Sequence, residues 1–511
     1  MSRAAAFQGL TRPITRNSME SSWKLTCHWI QQHKVTLLLL ILIVLGFCLR
    51  VSSINHQSLW IDEGYSINAS QAILQHGYPL LDSGQIYTNQ PLGLYTMAVM
   101  IKIFGLNPFH PWPVRLPAVL LGTAVIGVIY LLAQKILRSN ITALLVTGIV
   151  AFSEWEIAWS AQARDYVMLQ FFLLLYLYFL WLWLNGQKLK HLILATAMLL
   201  AAILAHGLAI IFVPIFIVII AIRYLLRPQQ RTQLGIALSA GAVIWILASL
   251  SATHFKLYHT HTIYIYHLLY VKTTLLIGAT IGMLWAFFDH RRADQLFFIV
   301  LHWVLPLAIL IQVGEAFQIR YLFPLFPLMI LLTLYGLVKI IRLLRIPSVY
   351  NLNALVLIVL AITLFYTQLR FLPSAFYPLE YDSPQSHFKT VYQLIKKQSQ
   401  PTDLVLSPYA HLTKIYLGHT GYWLPISLTG KRSEFDKTII DGRYDYYVKA
   451  PIVPKPTDLQ SLLQESHGFI VIDGMSRRRL RQFLPVINGH PGMQLLYHDG
   501  KGLSEIWLLK F

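Results

Sequence analysis

Long unbroken apolar runs alternate along this chain with short polar loops, and the first run, residues 35–51, sets the pattern. Runs able to cross a hydrocarbon core of roughly 30 Å read as membrane-spanning helices, so the fold class is a polytopic α-helical membrane protein. Lysine and arginine bias their loops toward the cytoplasm, which orients the spans. Residues 1–34 carry Arg3, Arg12, Arg16, Lys24 and Lys34 against the single acid Glu20. They read as a cytoplasmic tail leading into an uncleaved first helix, because the basic region is long and no A-x-A-like site follows the apolar run. The run at 91–106 is short for a span, carries Lys102 and reads as interfacial or re-entrant. With it set aside, spans at 113–137, 141–158, 167–184, 234–250, 270–288, 296–313, 321–341 and 354–371 join basic loops to nearly uncharged ones. Residues 192–222 supply two short helices or one hairpin buried in protein. The sum is about eleven spans, with the N-terminus inside and the C-terminal part outside.

After Pro373 the sequence turns polar and mixed, and no later segment is long enough to span. Residues 403–407, 468–473 and 506–509 read as buried strands, and 388–397 and 477–487 have helical periodicity, which predicts an α/β domain. The expected organisation is a tail over 1–34, a transmembrane domain over 35–372 with a first outer loop at 54–112, and an extracytoplasmic α/β domain over 373–511.

Composition agrees: 56% of residues are hydrophobic and 12% charged, where soluble domains carry about 25% charged residues. The net charge of +19 reads as topology, since Lys and Arg are scattered between apolar helices. A nucleic-acid-binding protein would gather them in one domain. Cys27 and Cys48 fall at different membrane depths and imply neither a disulfide framework nor a metal site.

Against this background Ser58-Leu59-Trp60-Ile61-Asp62-Glu63-Gly64-Tyr65-Ser66 stands out, two acids in the first loop after the first span. The same face receives Arg164, Asp165 and Tyr166 after the third span, His206 at a helix end, and Glu315, Arg320 and Tyr321 before a late span. Ionisable groups at membrane depth are costly and face a protein interior or a water-filled cavity. Both signs at one depth point to a site for an anionic lipid head and a reacting hydroxyl. Each member has a plainer reading as well. Asp62 caps a helix beginning at Glu63, Arg164 and Arg320 snorkel to the interface, His206 packs in a helix, and the histidines of 254–267 belong to an interfacial loop. Aromatic belts account for most Tyr and Trp.

The chain resembles the GT-C glycosyltransferases that use polyprenyl-phosphate sugars, in particular the group containing protein O-mannosyltransferases and the aminoarabinose transferases of lipid A. The matching pieces are Trp60-Ile61-Asp62-Glu63, Asn89-Gln90-Pro91-Leu92, Val114-Arg115-Leu116-Pro117, Trp159 to Tyr166, Ala205-His206-Gly207 and Arg320 to Pro327. The resemblance implies a GT-C fold and inverting transfer of one sugar from a polyprenyl-phosphate donor to a protein, lipid or glycan acceptor. It also implies a multi-pass protein of the plasma or inner membrane with its site on the outer face. Asp62 is then the candidate base, and Glu63 positions Asp62, the acceptor or a metal. Arg164 and Arg320 take the lipid phosphate, because guanidinium offers bidentate donors to phosphate oxygens. Tyr321 joins them there, and Asp165, Tyr166, His206, Arg115 and Glu315 support. The C-terminal domain is expected to recognise the acceptor or shield the site. Relatives commonly have Pro where this chain has Gln90, and many have Glu where it has Gln162, which leaves Asp165, Glu154 or Glu156 as replacement acids. Some relatives use a divalent cation (Mg, Mn or Zn) and others none; Asp62 and Asp165 are the candidate ligands if one is used. The rival classes are a lipid or sugar transporter, which often carries internal repeats, and a non-catalytic sensor of the same fold.

Overall fold

A computed structural model of the chain describes residues 16–186, 188–226, 301–306, 319–343, 352–365, 369–374, 386–426 and 439–511, with isolated positions elsewhere. The spans expected at 234–250 and 270–288, the histidines of 254–267 and Glu315 lie outside the described residues, a few isolated positions apart; of the span expected at 296–313, residues 298, 301–306 and 309 are described and helical.

Among the described residues nine helices come first: α1 Arg16–Ser52, α2 Ile61–His76, α3 Pro91–Phe104, α4 Trp112–Leu137, α5 Asn140–Phe152, α6 Glu154–Ser160, α7 Tyr166–Gly186, α8 Leu189–Ala205 and α9 Phe212–Leu225. A 3-10 turn Ile319–Leu325 then leads into helix Phe326–Leu343, and helix Leu352–Phe365 follows. Among the described residues five helical stretches are long and apolar enough to cross a membrane: Gln32–Ser52, Trp112–Leu137, Tyr166–Gly186, Gly207–Leu225 and Arg320–Ile341. Pro91–Phe104, Asn140–Phe152 and Leu189–Ala205 are shorter apolar helices. Gly282 meets the helix after Arg320 so closely that a Cβ there would lie 2.1 Å from the Leu332 carbonyl oxygen, the close approach that small residues permit between membrane helices.

Two expectations need correction and a third is met. Helix α1 begins at Arg16, so the second half of the expected tail is helical and continuous with the first span. The single span expected at 141–158 breaks at Ser153, whose backbone is extended (φ −65°, ψ 126°). There the chain after the last helix lies alongside, with the Arg370 N–H donating to the Phe152 carbonyl at 2.8 Å and Arg370 pairing with Glu154 at 2.6 Å. Residues 192–222 do form two helices, parted by an extended His206 and the 3-10 turn Gly207–Ile211.

The C-terminal part builds a five-stranded mixed sheet in the order β2-β1-β5-β7-β6, from β1 Leu404–Ser407, β2 Tyr422–Trp423, β5 Gly468–Asp473, β6 Gln494–Asp499 and β7 Ile506–Lys510. A separate pair joins β3 Ile439–Ile440 to β4 Tyr444–Asp445. Strand β5 is buried along its whole length, which is why its unbroken apolar sequence is readable as a central strand. Strand β6 is an edge strand with a mostly open face, and its mixed sequence gives no strand signal. The helix expected at 477–487 splits into Gly474–Arg477 and Leu484–Gly489.

This sheet unit docks on the first loop and α2. The Tyr416 hydroxyl accepts from the Leu59 N–H at 3.0 Å, and the Lys389 N–H donates to Ser58 Oγ at 3.0 Å. His411 Nε2 lies 3.0 Å from the Ile61 carbonyl oxygen, and Asn68 Nδ2 donates to the His411 carbonyl at 3.2 Å.

Candidate active site at the start of α2

The site is assembled from below by one buried ion pair. Arg115, in the first turn of α4, is fully buried, and each of its five N–H donors finds an acceptor: Glu63 Oε1 at 2.9 Å, Glu63 Oε2 at 2.7 Å, and the carbonyls of Ile54, Gln57 and Ser58 at 2.8 to 3.0 Å. Such full satisfaction is what lets a charged pair persist at zero exposure. Glu63 reaches back to the Trp60 N–H at 2.8 Å, the acidic half of a capping box. It also accepts the Ala163 N–H at 2.6 Å. One carboxylate therefore ties the 54–63 loop to α4 and draws the loop after α6 against α2.

The capping expectation is corrected by this arrangement: α2 starts at Ile61 with Trp60 as its cap residue, and Asp62 sits inside the first turn. Glu63 is fully buried against Arg115 and has no surface open to an acceptor or a metal. Asp62 keeps its carboxylate partly open, at 25% side-chain exposure. Its Oδ2 lies 3.3 Å from Arg320 Nη2 and 3.8 Å from Arg164 Nη2. Arg164 is further held by the Asp62 carbonyl at 3.1 Å and Ser66 Oγ at 2.9 Å.

Rings hold the guanidiniums from the other side. Arg320 lies 4.9 Å and Arg164 6.0 Å from the centre of the Trp60 ring, and Arg164 is 5.7 Å from that of Tyr166. These are cation–π distances. Arg320 Nε donates to the Tyr166 hydroxyl at 3.0 Å. His206 lies 5.0 Å from Tyr166 and 6.3 Å from Tyr321, ring to ring. Its Nδ1 accepts the Leu208 N–H at 3.1 Å, which caps the 3-10 turn and leaves the ring proton on Nε2.

Asp165 lies behind Arg164 and against the start of α3, where a Cβ on Gly93 would stand 1.7 Å from Asp165 Oδ1. Gln90 links the two: with its amide oriented by hydrogen bonding, its nitrogen donates to Asp165 Oδ2 at 2.5 Å and its oxygen accepts from Arg164 Nη2 at 3.2 Å. Gln90 holds a left-handed backbone (φ 58°) directly before Pro91, a costly conformation of the kind found at functional sites. Burial pushes the Asp165 carboxyl up to about 7 against the opposing pull of Arg164.

The structure thus brings Asp62, Arg164, Asp165, Tyr166, Arg320, Tyr321 and His206 together, with Glu63 and Arg115 beneath. Glu154 and Glu156 are elsewhere, paired with Arg370 and bonded by Gln170 respectively. Sequence reading missed Arg50, fully buried in α1, whose guanidinium donates to the Val150 and Ala151 carbonyls and to Ser160 Oγ. Its only signal was a charge at the end of an apolar run. Trp60 and Gln90 stood in the quoted motifs, but their roles under and behind the arginines are matters of contact.

The donor set does not suit a resident divalent cation. The Asp62 carboxylate oxygen faces two guanidiniums, the Asp165 one faces an amide N–H, and among the described residues no three His, Cys, Asp or Glu side chains gather as a ligand group. The arrangement presents positive donors to an incoming anion.

The described residues thus combine a helical body with a short apolar helix after its first loop, an acid in the first turn of a helix facing two arginines, and a C-terminal α/β unit docked on that loop. The sequence profile of the family described as dolichyl-phosphate-mannose-protein mannosyltransferase matches residues 88–252. No curated protein sequence matches the chain. Among solved structures, ArnT from Cupriavidus metallidurans in the apo state superposes with a TM-score of 0.55 at 14% identity, over 94% of this chain and 98% of that one. The apo Archaeoglobus fulgidus oligosaccharyltransferase gives 0.57 at 10% identity, over 91% and 74%. The oligosaccharyltransferase AglB of that organism, in complex with an inhibitory peptide and a dolichol-phosphate, gives 0.55 at 10% identity, over 94% and 74%. A form of the A. fulgidus enzyme complexed with Zn and sulfate gives 0.51 at 12% identity, over 74% and 61%. At these identities the likeness is one of fold, and it upholds the GT-C resemblance read from the motifs.

Proposed function

We propose that this protein is a membrane glycosyltransferase that moves one sugar from a polyprenyl-phosphate donor to an acceptor hydroxyl, with inversion, on the extracytoplasmic face of the cell membrane. The observation that carries the reading is the opposition of one partly open carboxylate, Asp62, to two guanidiniums at a shared opening. The match to a family described by its dolichyl-phosphate-mannose donor, and an AglB neighbour holding dolichol-phosphate, support the donor class.

The acceptor oxygen attacks the anomeric carbon while its proton passes to the Asp62 carboxylate, and the bond from that carbon to the phosphate oxygen breaks. The departing polyprenyl phosphate keeps the bonding pair, and Arg320 and Arg164 hold the developing charge. A phosphate competes with Asp62 for the same guanidiniums, and fixed bidentate donors favour it. Donor binding therefore draws Arg320 off the carboxylate and leaves Asp62 free to take the proton. Trp60 and Tyr166 keep the guanidinium planes oriented through that exchange, Tyr321 and His206 border the donor, and Glu63 with Arg115 fixes where Asp62 stands.

The test is transfer of label from a panel of polyprenyl-phosphate sugars by the full chain in nanodiscs, beside Asp62→Asn. Label reaching acceptor or water only with the unmodified protein is the expected result. Donor bound but never consumed across an adequate acceptor panel overturns it in favour of a transporter or sensor.

A further inference from the structure

A group of tyrosines on the other flank of Asp62 has no part in the steps above. Tyr65 lies one turn along α2 and is half-buried. Its ring centre is 3.8 Å from that of His411 and 4.0 Å from that of Tyr447, both from the C-terminal sheet unit. Tyr87, from the first loop, stands 6.4 Å from Tyr447 at 55°. Beneath these rings Ala69, Ile73, Leu81, Leu94 and Ala98 form a small buried core.

The placement of Tyr447 is built with care. Asp445, at the end of β4, accepts the N–H groups of Tyr447 and Val448 at 3.1 and 2.7 Å, an Asx-type turn. Lys449 closes the turn in the left-handed region (φ 54°), and Val448 is buried below it. Tyr65, Tyr87 and Tyr447 are each half-buried, and the Tyr65 ring is packed against those of His411 and Tyr447, so the accessible part of the group belongs to Tyr447 and Tyr87. Asp62 lies close enough that its charge opposes ionisation of all three phenols, a smaller effect than that of burial.

We propose that Tyr447, set against Tyr65 and Tyr87 beside Asp62, forms a subsite for one pyranose ring of a saccharide acceptor. The proposal rests on the transfer reading above and names the acceptor class for that site. A pyranose carries a patch of C–H groups on its face and hydroxyls around its rim. Tyrosine offers the matching pair, an apolar ring face and a polar tip. An extended peptide would look for a free strand edge, but the nearby strands β3 and β4 are two residues long, and Tyr444 is already paired with Pro451. A lipid chain would look for an open aliphatic groove. Here the aliphatic residues lie below the rings, and Lys414 pairs with Asp82 alongside. With the arginines engaged on the donor phosphate, a hydroxyl of the stacked sugar is presented to Asp62 from the opposite flank.

The experiment uses the full chain in nanodiscs, without donor, and methyl pyranosides and short oligosaccharides as probes in saturation-transfer NMR. Ring protons of the probe should receive saturation from the unmodified protein and from Tyr447→Phe. Tyr447→Ala and, independently, Tyr87→Ala should weaken binding by about tenfold while the unfolding midpoint is unchanged. With donor added, the same two variants should raise KM for the saccharide acceptor more than they lower kcat. No saccharide binding to the unmodified protein, or binding indifferent to both alanine variants, overturns the subsite. Transfer to hydroxy-peptides or lipids with saccharides inert overturns it equally. Failure of the donor to react is a separate result and bears on the proposed function alone.

Discussion

Glu63→Gln is the sharpest perturbation of the site's foundation. The Glu63 carboxylate accepts four donors: Arg115 Nε, Arg115 Nη2, and the N–H groups of Trp60 and Ala163. An amide offers a single oxygen and turns an NH2 toward two of those donors. The change also strands a buried guanidinium, left with the carbonyls of Ile54, Gln57 and Ser58 and no counter-charge. Breaking a buried pair in this way costs about 3–5 kcal/mol. The displaced atoms belong to the segments carrying Asp62 and Arg164, so turnover should fall together with stability. The assay is a thermal unfolding midpoint by intrinsic fluorescence in nanodiscs, measured beside donor turnover. Replacing both partners, Glu63→Leu with Arg115→Met, should recover much of the midpoint, because two uncharged groups leave no buried charge. An unchanged midpoint with turnover abolished would refute the reasoning and make Glu63 a chemical participant.

Four further outcomes follow from the same geometry. Asp62→Asn should lower transfer by about 10²–10⁴-fold with donor binding retained, and retention of turnover in a donor-consumption assay would remove Asp62 as the base. Arg320→Lys should raise the donor KM more than it changes donor-independent stability, since a point charge replaces a bidentate fork; an unaltered KM counts against phosphate contact. Asp165 is an acid whose folded pKa lies above the unfolded value near 3.9, so the folded chain holds an extra proton between pH 4 and about 7. Stability should accordingly be greatest at the acid end of that window, decline as pH rises to about 7 and level off above it, and Asp165→Asn should flatten the slope. EDTA should leave turnover unchanged, given carboxylates already opposed by guanidinium and amide donors; loss restored by Zn, Mn or Mg would contradict that reading.

The sequence exposes whatever is repeated or extreme, and hides whatever depends on one contact. Apolar runs gave most of the described helices to within a few residues, since burial in lipid tolerates little else along a span. Ser153 escaped notice because one extended residue leaves no mark on hydropathy, yet it divides a span and receives the chain at Arg370. The unusual charges were visible for the same energetic reason, and Asp62, Arg164 and Arg320 do converge. Their division of labour was not visible. Asp62 and Glu63 are adjacent acids in the sequence, and only the position of Arg115 makes one a buried support and leaves the other open. The tyrosines were harder still, since Tyr65 and Tyr447 are ordinary members of a chain with 27 tyrosines until two parts of the fold are pressed together.

The seam between the sheet unit and the α2 segment is written largely in main-chain atoms. Each of the four hydrogen bonds described across it has a main-chain atom at one end: the Leu59 N–H and Ile61 carbonyl on the α2 side, the Lys389 N–H and His411 carbonyl on the other; and Gly64 lies so close that a Cβ would stand 2.6 Å from the His411 ring. Burial holds His411 neutral, well below its usual range at about 3, so this donor to the Ile61 carbonyl does not change with pH across the physiological range. Peptide groups are the same whatever side chain they carry. A joint that reads them lets the residues around it drift over generations while the angle at which Asp62 is offered stays fixed. The substitutions that matter to it are those at the few side chains, such as His411 and Tyr416, that do the reading.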